Sequence, residues 1–142
     1  CIRDSITVLD ISEQAIEKTK KRLGEKANQV KWIIGNVLDV ELEKYDVWHD
    51  RAVFHFLTEE KQVAQYKEKV AKHINFMGYF FLGTFSENGP LKCSGLEICQ
   101  YSDQTANAIF ESHFQLKKAF QQNHQTPFNT IQNFQFCIFN KK

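Results

Sequence analysis

Short apolar runs alternate with amphipathic stretches of helical period between residues 6 and 85, which restricts the chain to a sheet packed against helices. Ile6, Thr7, Val8 and Leu9 are apolar or β-branched at every position, as in a strand covered on both faces, and the run stops at Asp10. Ser12 is placed to cap a helix through about residue 23. Glu13 stands in its first turn, basic residues in its last turn and Gly24 beyond its end, and the spacing of Ile11 and Ile16 predicts a hydrophobic staple. Further strands are predicted over residues 30–34, 45–49 and 79–85. A helix capped near Thr58 carries one apolar stripe of Val63, Tyr66, Val70 and Ile74. Strand alternating with helix to this point is the pattern of βαβ units and a parallel sheet.

After Phe85 the texture changes. A polar loop over residues 86–95 is followed by a short helix near 103–111 and strands near 114–120 and 134–139. The last two, joined by roughly a dozen residues around Thr126 and Pro127, are predicted to form an antiparallel hairpin that closes the sheet. A chain of 142 residues fits one domain, spanning residues 1–142, and its 13 phenylalanines predict an aromatic core. Eighteen basic against seventeen acidic side chains give a formal charge of +1, so bulk charge supports neither a nucleic-acid nor a membrane partner. No apolar stretch reaches the roughly 18–20 residues that span a bilayer, and a cytoplasmic protein is expected. Cys1, Cys93, Cys99 and Cys137 lack zinc-binding spacing and read as reduced thiols, so no metal site is expected. The opening residues Cys1, Ile2, Arg3, Asp4 and Ser5 run straight into a strand without an initiator Met, which suggests a chain that begins inside a larger reading frame.

The segment from Tyr45 to Leu57, Tyr-Asp-Val-Trp-His-Asp-Arg-Ala-Val-Phe-His-Phe-Leu, is the most specific piece of the sequence. With Gly-Pro-Leu-Lys-Cys-Ser-Gly-Leu over residues 89–96 and His-Gln-Thr-Pro over 124–127, it resembles a bacterial subgroup of class I S-adenosylmethionine-dependent methyltransferases. The resemblance covers the whole chain. It implies an α/β, Rossmann-like, mostly parallel sheet with a terminal antiparallel β-hairpin, from which the family's first strand and first helix are absent. It implies S-adenosylmethionine as cofactor, with contacts from Asp10, Ile11, Asn36, Val37, Asp50 and Arg51, and a methyl acceptor that is a small molecule or a protein side chain.

The residues themselves bear on those roles. In open α/β sheets ligands sit beyond the carboxyl ends of the strands, where Asp10, Asn36 and Asp50 would converge. A carboxylate at Asp10 can accept two hydrogen bonds from vicinal ribose hydroxyls, or it can serve the cap of the following helix. Asn36 stands where the family usually has an acid facing the adenine amine, and Val37 where an apolar wall meets the ring. Asp50 and His55 are candidates for a general base, the rival for His55 being packing among Phe54 and Phe56. Arg51 either orients an anionic acceptor or pairs with Asp46 or Asp50. Arg51, Cys93 and His124 are expected to face the acceptor, and a Cys93–His124 nucleophile pair is the weaker alternative. His49 and His73 are expected to be structural.

Two departures from the family pattern stand out. The family's Gly-x-Gly turn should precede Asp10 by roughly 20 residues, and none of the six glycines occupies such a turn. The sheet is then expected to be completed by an upstream segment or by a second copy in a homodimer. Asn75, Phe76, Met77 and Gly78 also replace a common Pro-Gly-Gly. The expected activity is methyl transfer, weak or absent for these 142 residues alone. Its alternatives are a non-catalytic interaction module and, less well matched, a nicotinamide-binding half-fold.

Overall fold

The computed structural model describes residues 5–142, so Cys1, Ile2, Arg3 and Asp4 fall outside the description. The chain divides into two compact units, Cys1–Glu41 and Leu42–Lys142.

The first unit is a β-α-β turn of chain. Strand β1 (Ile6–Asp10) leads into helix α1 (Glu13–Leu23), a 3-10 segment (Gly24–Gln29) and strand β2 (Val30–Ile34). The two strands pair in parallel, Ile6 opposite Val30 through Asp10 opposite Ile34. Ser12 caps α1 as expected, its hydroxyl accepting the Ala15 N–H at 3.2 Å, a bond that stabilises a helix by about 1 kcal/mol. Gly24 ends the helix at φ 57°, with its N–H donating to the Lys20 carbonyl. The expected Ile11–Ile16 staple does not form. Ile16 is buried, whereas Ile11 is 73% exposed. The apolar stripe of α1 takes Ile16 inward while Ile11 lies before the helix starts, in the turn that Asp10 holds.

The second unit is a four-stranded sheet in the order β3-β4-β8-β7. Strand β3 (Tyr45–Arg51) pairs in parallel with β4 (Ile74–Phe85). Strand β4 pairs antiparallel with β8 (Ile131–Lys141), and β8 pairs antiparallel with β7 (Phe114–Gln125). Helix α2 (Glu60–His73) connects β3 to β4, and helix α3 (Asp103–Phe110) precedes β7. A two-residue hairpin of β5 (Lys92–Cys93) and β6 (Leu96–Glu97) lies in the loop between β4 and α3.

Helix α2 starts near Thr58 as expected, with Glu59 at its N-cap and no side-chain cap. Other boundaries differ from those expected. Ile74 leaves the helical stripe to begin β4, its N–H closing the helix on the Val70 carbonyl. Strands β7 and β8 run on through the polar stretches 121–125 and 131–133, so only residues 126–130 connect them. Those polar side chains lie largely in water, where a strand needs no apolar pattern to form once its partner is fixed. Met77 adopts φ 65°, a left-handed conformation that favours glycine. Asn140 steadies that turn by donating its side-chain amide to the Met77 carbonyl at 2.8 Å.

One face of the larger sheet carries the core. Phe80 of β4 stacks on Phe139 of β8 at 5.7 Å, and both meet Phe110 of α3, with Tyr66 of α2 and Phe114 of β7 completing the cluster. All five rings are fully buried. The opposite face is open. Val47, Tyr79 and Phe120 expose 54%, 44% and 40% of their surfaces there. Among the described residues β1 pairs only with β2, and β3 only with β4. No helix of the described residues is long and apolar enough to cross a membrane.

Candidate functional site

In the first unit, the carboxyl ends of β1 and β2 lie side by side, fixed by the Gly35 N–H donating to the Asp10 carbonyl at 3.0 Å. The side chain of Asp10 is half-buried, and its Oδ1 accepts the Ser12 N–H at 2.8 Å. Its second oxygen has no partner among the described residues. The capping role and an open acceptor therefore coexist in one carboxylate. Ile11 stands exposed beside it, and Val37 is buried just beyond the end of β2. Asn36 is exposed, and its side-chain oxygen accepts the Leu38 N–H at 2.9 Å, so the acceptor expected to meet an adenine amine already holds its own loop.

In the second unit, Asp50 sits near the end of β3 and points into the protein, 4% exposed. Ala52 turns the chain at φ 65°, with its N–H donating to the Gly83 carbonyl at 2.8 Å. That turn aims the N–H groups of Val53 and Phe54 back at the Asp50 carboxylate, at 3.0 and 3.2 Å. The Tyr66 hydroxyl donates to the same carboxylate from α2. Burial pushes the Asp50 carboxyl up from the usual range, against the hydrogen bonds from Tyr66, Val53 and Phe54 that hold it down. Burial, together with the Asp50 charge, pushes the Tyr66 hydroxyl up as well.

His55 is fully buried against Phe56 and Phe85, in ring contacts of 4.7 Å each. Its Nδ1 accepts the Phe85 N–H at 3.3 Å, and its Nε2 has no partner. Burial pushes its pKa down to about 4. His73 is buried with its ring nitrogen 3.0 Å from the Glu43 carbonyl, the structural place expected of it.

Arg51 takes neither of the ion pairs considered for it. Asp50 is committed to Tyr66 and the loop, and Asp46 accepts from Asn75 at 2.8 Å. The guanidinium instead lies over the ring of Phe134, 5.2 Å from its centre. This contact is part of a recess of about 400 Å³ on the open sheet face, where β3 contributes His49 and Arg51, β7 contributes His124 with its neighbours, and β8 contributes Phe134 and Phe136. Arg51 and His124, both expected to face an acceptor, are thus brought together. Cys93 is not among the lining residues; it lies on β5, half-buried with a free thiol. His49, expected to be structural, is instead exposed in the recess, because strand alternation puts it on the same face as Arg51. The same two-residue period puts Phe134 and Phe136 on one face as the recess floor. Among the described residues no group of three or more His, Cys, Asp or Glu side chains is arranged to hold a metal ion.

Against known proteins, a sequence profile of the methyltransferase domain matches residues 2–80. The chain belongs to this methyltransferase domain family. Its similarity to a malonyl-[acyl-carrier protein] O-methyltransferase of Anoxybacillus flavithermus is 35% identity over 83 residues, which is 58% of this chain and 30% of that protein's length. The methyltransferase domain also resembles solved structures. The N-methyltransferase NodS of Bradyrhizobium japonicum, in complex with S-adenosyl-L-homocysteine, superposes with a TM-score of 0.74 at 15% identity, over 96% of this chain and 66% of that one. A methyltransferase of Methanosarcina mazei does so with a TM-score of 0.75 at 13% identity, over 96% and 82% of the two chains. At those identities the likeness establishes the Rossmann-like α/β fold.

The family implies S-adenosylmethionine as methyl donor. Asp10 has one carboxylate oxygen without a partner among the described residues, which could accept from a hydroxyl, and Ile11 offers an exposed apolar surface next to it; these residues would hold the adenosine end of that molecule. When bound, the donor supplies an electrophilic methyl group on a sulfonium.

Proposed function

We propose that this chain is the donor-binding part of an S-adenosylmethionine-dependent methyltransferase, with Asp10 as the ribose ligand. The half-committed Asp10 carboxylate carries the reading. The Ser12 N–H fixes its orientation through Oδ1, so the second oxygen is held ready for a hydroxyl without further loss of rotamer freedom. Ile11 and Val37 would flank the base, with Asn36 shaping their loop. Methyl transfer needs the acceptor atom held close to the methyl carbon and in line with it, in a dry site. In this reading Asp50 contributes by organising the backbone of residues 50–54, and Arg51 carries the acceptor side. Asp50 and His55 are positioning residues rather than bases, since both are enclosed by their own neighbours.

The methionine end of the donor has no Gly-x-Gly turn among the 142 residues. The proposal therefore assigns full-strength donor binding to a form that also carries such a turn. Calorimetry with S-adenosylhomocysteine tests the ribose role. Asp10→Ala should weaken binding by about 1.5–3 kcal/mol, the worth of hydrogen bonds to a charged group. An unchanged affinity rejects Asp10 as the ligand.

A second reading is favoured by the strands β1 and β3, each paired on one side only. There the chain is a non-catalytic module whose open edge pairs with a second copy. That reading expects a concentration-dependent dimer by light scattering together with no binding of S-adenosylhomocysteine. A monomer that binds the ligand rejects it.

A further inference from the structure

The recess on the open face of the larger sheet is constructed around one guanidinium. Arg51, Gly83 and Phe136 are successive neighbours across β3, β4 and β8. A Cβ at Gly83 would come within 2.7 Å of the Phe136 ring, so the bare backbone there lets the ring lie flat on the sheet. Phe134 and Phe136 stack at 5.7 Å, and Phe136 stacks on Phe120 at 5.3 Å, which makes a continuous aromatic floor. The guanidinium lies over the ring at the Phe134 end, 5.2 Å from its centre, a contact that commits none of its N–H donors to an ion pair.

The walls are donors as well. His124 meets Phe134 edge to face at 6.3 Å. Gln122, two residues before His124 on the same face of β7, brings a side-chain amide to the lining. No acidic residue lines the recess, and Arg51 makes no ion pair among the described residues. One permanent cation without a lysine beside it in the lining, on an aromatic floor, suits a flat singly charged anion better than a phosphate. The volume of about 400 Å³ is that of a small-molecule site.

We propose that this recess binds the carboxylate of a small organic acid, with Arg51 taking the two oxygens and Phe136 supporting the apolar body. This deepens the methyltransferase reading and rests on it for one point, that a nucleophilic atom on the body of the bound acid is the methyl acceptor: its lone pair forms the bond to the methyl carbon as the S–CH3 bond breaks, and S-adenosylhomocysteine leaves. Arg51 and His124 then become the residues that select the acceptor.

Benzoate is the probe, titrated into the isotope-labelled full chain and followed by heteronuclear NMR. Saturable shifts are expected at the amides of Arg51, His124 and Phe136. Arg51→Gln should weaken binding about tenfold or more, Arg51→Lys should restore part of it, and Lys72→Gln, which removes a charge from the last turn of α2 away from the recess, should leave it unchanged. Benzyl alcohol and inorganic phosphate should not compete. Equal binding of benzoate and benzyl alcohol, or an unaffected Arg51→Gln protein that folds normally, overturns the proposal. Calorimetry with S-adenosylhomocysteine, on a form that also carries the Gly-x-Gly turn, separates the two readings. Donor binding without benzoate binding rejects the recess, while benzoate binding without donor binding supports the carboxylate site and rejects its place in methyl transfer.

Discussion

Asp50→Ala should cost the protein about 3–5 kcal/mol of folding stability, measured by urea unfolding at neutral pH. Alanine leaves the Val53 N–H, the Phe54 N–H and the Tyr66 hydroxyl without an acceptor. Phe54 and Tyr66 are fully buried, so water cannot replace the carboxylate without opening the aromatic cluster around them. Each stranded donor costs on the order of 1–3 kcal/mol, and the total approaches the whole stability of an ordinary domain. Asp50→Asn keeps one acceptor oxygen and should lose less than half as much. A loss under about 1 kcal/mol for the alanine variant would mean that the turn at Ala52 does not depend on this carboxylate.

Acidification supplies the second large effect. The neutral ring of His55 accepts the Phe85 N–H on Nδ1 and therefore carries its proton on Nε2. A second proton must go to Nδ1, where it would face another donor inside the core. Burial is the larger cause of the low pKa of about 4, and this clash works in the same direction. Since the folded value lies below the unfolded one, the unfolded chain takes up the proton first. The stabilisation is complete above about pH 6.5 and is lost as pH falls toward 4, by about 1.4 kcal/mol per pH unit and on the order of 3 kcal/mol in all. Asp50 works in the opposite sense. Its raised pKa gives a contribution that is present at low pH and is lost as pH rises through that value. The comparison is therefore between wild type and His55→Gln, whose amide oxygen can accept the Phe85 N–H without titrating. Between pH 7 and pH 4 the wild-type unfolding free energy should fall relative to that of the variant by roughly 3 kcal/mol. Parallel curves would show that His55 titrates as it does in the unfolded chain.

The parts of the molecule legible in the sequence are those set by local chemistry. Ser12 and Gly24 mark the ends of α1 because a hydroxyl acceptor and a residue tolerant of positive φ are local needs. The strand that ends at Asp10 and the stripe of Tyr66 and Val70 follow from a single period each. What the sequence left hidden depends on partners far along the chain. The polar residues 121–125 become strand only because β8 is there to pair with them, and Ile74 leaves the helix because β3 lies alongside. The tie between Asp50 and Tyr66 spans sixteen residues and two elements. The recess draws on β3, β7 and β8, so neither its aromatic floor nor the place of His49 within it could be read before the strand order was known.

The short connection over residues 126–130 orders the assembly of the larger sheet in time. Strands β7 and β8 are adjacent in the chain, and their ladder runs from the Gln125–Ile131 pair at the turn to the Phe114–Lys141 pair at the far end. A hairpin of this kind closes a small loop and gains contacts immediately, on a timescale of microseconds. The parallel pairing of β3 with β4 must await the whole of α2. The hairpin is thus expected to form ahead of the β3–β4 and β4–β8 pairings, both of which close longer loops. The aromatic floor of the recess is complete before its cation arrives.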